Sequence, residues 1–286
     1  MPLLKTLLIL LLFSHLAARS SIAAQMVEVD SVLDSDKIQK WLNWNRQALI
    51  CAYGTEPNKE FSVAVNASKA ASNSPIPWGQ VNRGPLHNRI RFIVDQQASY
   101  QDLISDWTAY HEYSHLLIPY QGWGDMWFSE GLASYYQNIL QFRMGVISAA
   151  EAKQKLLAGF KRGIDDNPAA HLTLSELSDD MSRYRAYMRV YWSGAWYFWQ
   201  ADQALRQQGQ SLDLALQYLN NCCSQQQLSV KEIVQILDQY SHTPLFAPLY
   251  TQTSNSYSLT IESSTWKQLQ PMTWPQPLSS PSDFLH

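Results

Sequence analysis

Cysteine is scarce in this chain: three in 286 residues, at Cys51, Cys222 and Cys223. That count excludes a disulfide-dense scaffold, and the spacing matches no cysteine zinc-ligand set. Long apolar runs are missing too. The run near the start, Leu7 to Phe13, is too short for a spanning helix, and no later segment approaches the roughly twenty apolar residues that a bilayer requires. With Lys5 before it and Ser21-Ile22-Ala23-Ala24 after it, the run reads as an export signal over residues 1–24. The mature chain is therefore expected in a periplasm or outside the cell, without a membrane span. Neither sign of charge dominates: 21 basic and 24 acidic residues are interspersed, which argues against nucleic acid or an anionic membrane as partner. No internal repeat is visible, and nothing in the sequence speaks to oligomeric state.

In an oxidising compartment, the expected disulfide joins Cys51 to Cys222 or Cys223. Closing so long a loop would stabilise the fold by about 5 kcal/mol in the chain-entropy model. A vicinal Cys222–Cys223 bond would be strained and ranks below it. Three buried free thiols are the remaining alternative.

What the chain does have is His111-Glu112-Tyr113-Ser114-His115. On a helix, an HExxH run sets two imidazoles one turn apart on one face with a carboxylate between them. Such a pair can hold a zinc ion while the glutamate serves as a base beside it. From Tyr100 to Ile118 there is no Gly or Pro, and Leu103, Ile104, Trp107, His111, Ser114, His115 and Ile118 recur at helical spacing. One helix is expected over this span, with Asp102 as N-terminal cap and Pro119 as terminator. The stripe holding both histidines is otherwise apolar, so they face inward.

Two protein ligands leave a catalytic zinc site incomplete. Downstream, Trp127-Phe128-Ser129-Glu130-Gly131-Leu132-Ala133-Ser134-Tyr135-Tyr136 reads as a second helix reaching about Phe142, with Asp125 as its N-cap. The connection from Pro119 to Gly124 is short and turn-rich, so the two helices should be neighbours. Glu130 is the only acidic residue within the second helix. Among aromatic neighbours, its carboxylate lies at a surface edge or is bound to something, and a metal is the favoured partner.

HEYSH followed by WFSEGLASYY resembles the gluzincin metallopeptidases, and by pattern the M1 and M61 aminopeptidase groups with their W-x-x-E-G-x-x-x-Y segments. The resemblance implies that His111, His115 and Glu130 are zinc ligands, that Glu112 is the general base, and that one zinc ion is held per chain. The spacing from His115 to Glu130 is shorter than in the M1 pattern, which reads as a trimmed loop. Val190-Tyr191-Trp192-Ser193-Gly194-Ala195 is similar to the Y-x-K-G segment of those groups, which makes Tyr191 the oxyanion-stabilising tyrosine, with Ser193 in place of the usual lysine. Tyr191 also lies among Tyr187, Trp192, Trp196, Tyr197 and Trp199, and aromatics at this spacing read equally as core. Weaker likeness continues through Ala201-Asp202-Gln203-Ala204-Leu205-Arg206 and Ser211-Leu212-Asp213. The exopeptidase signature G-x-M-E-N is absent: Gly79-Gln80-Val81-Asn82 stands about where it should but lacks the glutamate that would hold a substrate amine.

The expected fold class is α+β, a thermolysin-like zincin domain over residues 25–262. A small mixed α/β lobe (25–99) precedes a mainly helical lobe (100–262), and a tail follows from 263 to 286. Asp36 to Ala52 reads as a helix, and Glu60 to Asn66 and Asn88 to Asp95 as strands, with a loop over Ser68 to Pro85 between them. Further helices are expected over 148–162, 185–207, 211–222 and 229–239. Asn88 to Asp95 is the expected edge strand for pairing with an extended substrate. The function expected is an exported zinc metallopeptidase acting on peptides or proteins. The alternatives are an aminopeptidase and a zinc-containing scaffold without turnover, and retention of Glu112 argues against the second.

Overall fold

Asn88, Ile90, Phe92 and Val94 are buried, while Arg89 and Arg91 between them are exposed, and this alternation makes Asn88–Val94 the central strand of a four-stranded sheet. The computed structural model describes residues 26–54, 60–70, 72–85, 87–263 and 265. The expected export signal and all but the start of the expected tail lie outside these residues. The strands are β1 (Met26–Val29), β2 (Phe61–Ala67), β3 (Trp78–Asn82) and β4 (Asn88–Val94), in the order β1-β2-β4-β3. β1 and β2 run parallel, as do β2 and β4, whereas β3 lies antiparallel on β4. Helix α1 (Ser35–Tyr53) makes the crossover between β1 and β2, capped by Asp34 at its start and by Gly54 in the left-handed conformation at its end.

The strand expected at the edge, Asn88 to Asp95, is therefore internal; the edges are β1 and β3, and β3 is the one beside it. Its sequence sits in a stretch read as loop because Ser, Asn, Gly and Pro crowd around it. Short edge strands tolerate such residues, since one side of the ladder is left open.

The helix expected from Tyr100 to Ile118 is broken. Helix α2 (Tyr100–Ser105) begins at Ser99, which caps it in a reciprocal box with Asp102, so Asp102 is the third helical residue and not the cap. Asp106 then turns extended at ψ 139°, and its carboxylate accepts from the Thr108 amide at 2.7 Å. That local bond ends one helix and starts the next, α3 (Thr108–Ser114). His115–Leu117 follow as a tighter 3₁₀ turn. One face of α3 lies on the sheet, with Tyr113 stacked on Phe92 and edge-on to Phe61.

The helical part continues through α4 (Met126–Arg143), α5 (Ala149–Asp165), α6 (Leu174–Asp179), α7 (Met181–Tyr184), α8 (Tyr187–Gln207), α9 (Leu212–Cys223), α10 (Val230–Ser241) and α11 (Phe246–Ser254). The longer ones match the expected spans to within a few residues; α6, α7 and α11 were not expected. Helices α4 and α8 form the heart of this part. A Cβ on Gly131 would lie 2.3 Å from the Gly194 Cα, and one on Gly194 would lie 2.1 Å from the Trp127 carbonyl oxygen. Only glycine permits two backbones to meet this closely. Asp125 precedes α4 in the left-handed conformation and makes no cap bond. Its carboxylate instead accepts from Trp127 Nε1 at 3.1 Å, from Ser175 Oγ at 3.0 Å and from the Tyr250 hydroxyl, fastening α4 to α6 and α11.

The disulfide joins Cys222 to Cys223, and Cys51 is a free, buried thiol. This overturns the expected long-range bridge. Cys51 faces the core, its sulfur 3.9 Å from Met144 Sδ, whereas Cys222 and Cys223 sit side by side in the last turn of α9.

Candidate metal centre

The broken helix and the glycine crossing together assemble the site. α3 presents His111 and the 3₁₀ turn presents His115, with their ring centroids 5.1 Å apart. α4 lies against them, and Glu130 Oε2 is 3.2 Å from His111 Nε2 and 3.7 Å from His115 Nε2. One donor atom from each of the three lies within 4.8 Å of the others, and this is the group of ligating side chains among the described residues able to hold a metal ion.

The donor set can be tested for fit. Both imidazoles engage their Nδ1 elsewhere: His111 Nδ1 donates to Gln137 Oε1 at 2.9 Å, and His115 Nδ1 lies 2.8 Å from Ser129 Oγ. Both Nε2 atoms thus point at Glu130. Imidazole ligands of zinc are typically held in this way through the second ring nitrogen. Two Nε2 atoms and one carboxylate oxygen leave a fourth position open, as zinc in a catalytic role requires. Burial holds His115 neutral, its pKa pushed down to about 3. The residues fit a zinc ion.

The two carboxylates of the site live in different environments. Glu112 is buried, and the loss of solvent pushes its pKa up to about 7 despite the pull of His111 and a hydrogen bond from the Val81 backbone. Glu130 is half-buried, and the two imidazoles and a hydrogen bond from Tyr191 hold it below the usual carboxylate value. Opposite shifts in a pair of neighbouring acids suit one to carry protons and the other to remain an anion. Val81 belongs to β3, so the edge strand itself positions Glu112. A Cβ on Gly79 would lie 2.7 Å from Thr108 Cγ2 and 3.0 Å from Glu112 Cγ, which explains the glycine where β3 meets α3.

Tyr191 reaches the centre because Gly194, one turn further along α8, brings that helix onto α4. Its ring stacks on His111 with centroids 5.7 Å apart, and its hydroxyl bonds Glu130. Burial and the two nearby carboxylates keep the phenol protonated, raising its pKa well above the ordinary value. All five residues singled out in the sequence thus converge.

Sequence reasoning missed the residues that hold these five in place. Gln137 lies seven positions after Glu130, on the same face of α4, and helical spacing alone could have suggested it. Ser129 is the neighbour of Glu130 in the motif. Arg83 carries no local signal. It comes from just beyond β3 and donates to Ser129 Oγ at 2.8 Å, to the Ile118 carbonyl at 3.0 Å and to the Pro119 carbonyl. One side chain thereby ties the end of the first metal-bearing segment to the start of the second.

Comparison with known proteins agrees with this geometry. The family model of the M61 glycyl aminopeptidases matches residues 121–212, a stretch that includes Glu130 and Tyr191 and begins after the HEYSH run. Among solved structures, an aminopeptidase N family protein from Idiomarina loihiensis matches with a TM-score of 0.56 at 16% identity, over 84% of this chain and 45% of that one. The fold is that of a gluzincin-type zinc peptidase catalytic domain. A two-domain M1 zinc metallopeptidase bound to L-arginine gives a TM-score of 0.53 at 11% identity, over 87% of this chain and 49% of that one. The yeast LTA4 hydrolase in complex with bestatin gives 0.56 at 12% identity, over 82% of this chain and 38% of that one. The chain spans less than half the length of each of these three structures. No curated protein sequence matches it. The expected α+β zincin fold and the gluzincin resemblance are borne out.

Proposed function

We propose that this chain is a zinc-dependent peptidase that hydrolyses peptide bonds, with His111, His115 and Glu130 holding one zinc ion, Glu112 as general base and Tyr191 as oxyanion stabiliser. The observation that carries the reading is a meeting of two features: donor atoms of His111, His115 and Glu130 within 4.8 Å of one another, and beside them a buried carboxylate, Glu112, outside that ligand group. A scaffold site would need the first and not the second. Bound there, zinc supplies Lewis acidity and lowers the pKa of water. Glu112 accepts the proton of the attacking water and delivers it to the leaving amine. The Tyr191 hydroxyl turns from Glu130 to donate to the oxygen on which negative charge develops. The open side of β3 offers backbone groups to an extended peptide, which gives affinity with little dependence on side chains. Export, read from Lys5 and Leu7 to Phe13, places the substrates outside the cytoplasm, and among the described residues no helix is long and apolar enough to cross a membrane.

A second reading, release of N-terminal residues, is favoured by the family that residues 121–212 match. Against it stands Asn82, where the G-x-M-E-N signature has its amine-binding glutamate.

The test is metal analysis and peptide cleavage on one preparation of parent and Glu112→Gln protein. Gln keeps the size of the side chain and removes the proton acceptor. The expected result is one zinc per chain in both, with turnover falling by roughly 10²–10⁴ in the variant. Parental turnover in the variant, or a zinc-loaded parent inert towards a broad peptide library, would favour the scaffold. Product masses separate internal cuts from loss of N-terminal residues.

A further inference from the structure

A cavity of about 360 Å³ opens beside the metal centre on the His111 side, and the proposed reaction uses none of it beyond Tyr191. Its inner wall is formed by groups already in contact with His111: Tyr191 stacked on the ring, Trp107 edge-on at 5.7 Å, and Gln137 bonded to Nδ1. The remaining lining divides by chemistry. Met188 and Trp192 from α8 give an apolar side. Lys155 and Arg162, two turns apart on α5, place two cations at the rim, and no acidic side chain lines the cavity.

Deeper in lies an unmet demand. Asn138, 2% exposed on α4, lines the cavity, and its Nδ2 has no hydrogen-bond acceptor although it is shut off from solvent. A buried amide donor without a partner costs about 1–3 kcal/mol, so such groups are normally satisfied. Lys155 has a 3.4 Å contact with Gln141 Oε1, Arg162 sits over Trp192 at 5.0 Å from the ring centre, and no carboxylate lines the cavity to engage either cation. A buried amide N–H, two exposed cations and aromatic side chains lining one cavity describe a receptor for a carboxylate on an apolar stem.

We infer that this cavity is the specificity pocket of the enzyme and that it takes a substrate carboxylate, with Asn138, Lys155 and Arg162 as its recognition groups. The inference rests on the peptidase reading for its placement next to the scissile bond, but not for the binding itself. An acidic side chain and a peptide C-terminus present the same group, and the experiment tells them apart.

Binding is measured with the zinc-loaded Glu112→Gln protein, and cleavage with the parent. The probes are six-residue alanine-based peptides carrying Glu or Gln at one position in turn, each with a free or an amidated C-terminus. The expected result is a preference of roughly tenfold or more for one carboxylate, in both assays. The preference should follow the Glu/Gln exchange at a single position if the ligand is a side chain, and amidation if it is the C-terminus. Lys155→Gln combined with Arg162→Gln, both on exposed positions of α5, should bring the ratio close to one. Lys153→Gln, on the same helix but outside the cavity, should leave it unchanged. Equal binding of the Glu, Gln and amidated peptides overturns the inference, as does a preference that survives the double substitution or falls equally with Lys153→Gln. Preferential binding without any cleavage would instead keep the pocket and sink the peptidase reading.

Discussion

Two carboxylate clusters lie against helix α4, one near its start and one towards its end, and they are built on opposite plans. At the end, Arg143 grips Asp213 through two bonds, of 3.0 and 2.6 Å, and the Tyr136 hydroxyl donates to the same carboxylate at 2.8 Å. Asp202 nearby is similarly matched by Arg206, the Tyr135 hydroxyl and the Leu212 amide. Near the start, Glu130 has two imidazoles and a phenol, and Glu112 a backbone amide. Arg83, beside the centre, donates to Ser129 Oγ and to the Ile118 and Pro119 carbonyls. A buried anion needs compensation. Where the chain supplies the cation, the cluster fastens helices together; where it does not, the missing charge must come from outside. The likeness to peptidase sequences that runs through Asp202 and Asp213 is, on this view, a likeness of the fastening and not of the chemistry.

Substitution of one anion from each cluster separates the plans most widely. Asp213→Ala strands the Arg143 guanidinium in the core and should cost about 3–5 kcal/mol, a large part of the stability of an ordinary domain. Denaturant unfolding would register it, while zinc per folded chain stays at the parental value. Glu130→Ala should show the converse, zinc lost and the metal-free midpoint little altered. Equal metal loss in both variants would erase the distinction.

Tyr191→Phe asks whether a phenol near the start of α4 acts like those at its end. If its hydroxyl serves the transition state, kcat falls roughly 10²–10³-fold, about 3–4 kcal/mol, with KM and melting temperature nearly unchanged. A fastening role predicts a lower melting temperature and parental kcat, as Tyr136→Phe should show. The smallest effect is expected from Ser129→Ala, which removes the shared contact of Arg83 and His115. Zinc affinity should weaken by roughly 10–100-fold with the ligands intact, measurable by competition with a chromogenic chelator. Parental affinity would mean that packing alone orients His115.

Much of the centre was legible because its parts are local. HEYSH runs from α3 directly into the 3₁₀ turn that continues it, Glu130 sits on α4, and periodicity gives each face. The long helices were legible for the same reason. What escaped depends on contacts distant in sequence. β3 looks like loop until β4 pairs with it. The break at Asp106 follows from a single side-chain bond to Thr108, which no apolar pattern registers. Arg83 becomes meaningful only when the ends of two segments meet around it. The Cys51 expectation failed because a compartment argument says that thiols pair but not which of them face each other.

The brevity of α3 has a consequence for how the protein endures. At seven residues, it is well below the roughly 12–15 needed for an isolated helix to persist in water, so His111 and His115 are arranged only once the sheet and α4 are in place. A metal that needs all three ligands at once therefore binds the native chain and ignores the unfolded one. Mass action then adds to the unfolding free energy, by about 4 kcal/mol when free metal stands a thousandfold above its dissociation constant. The lifetime of the folded chain against heat and proteases would then follow the supply of free metal.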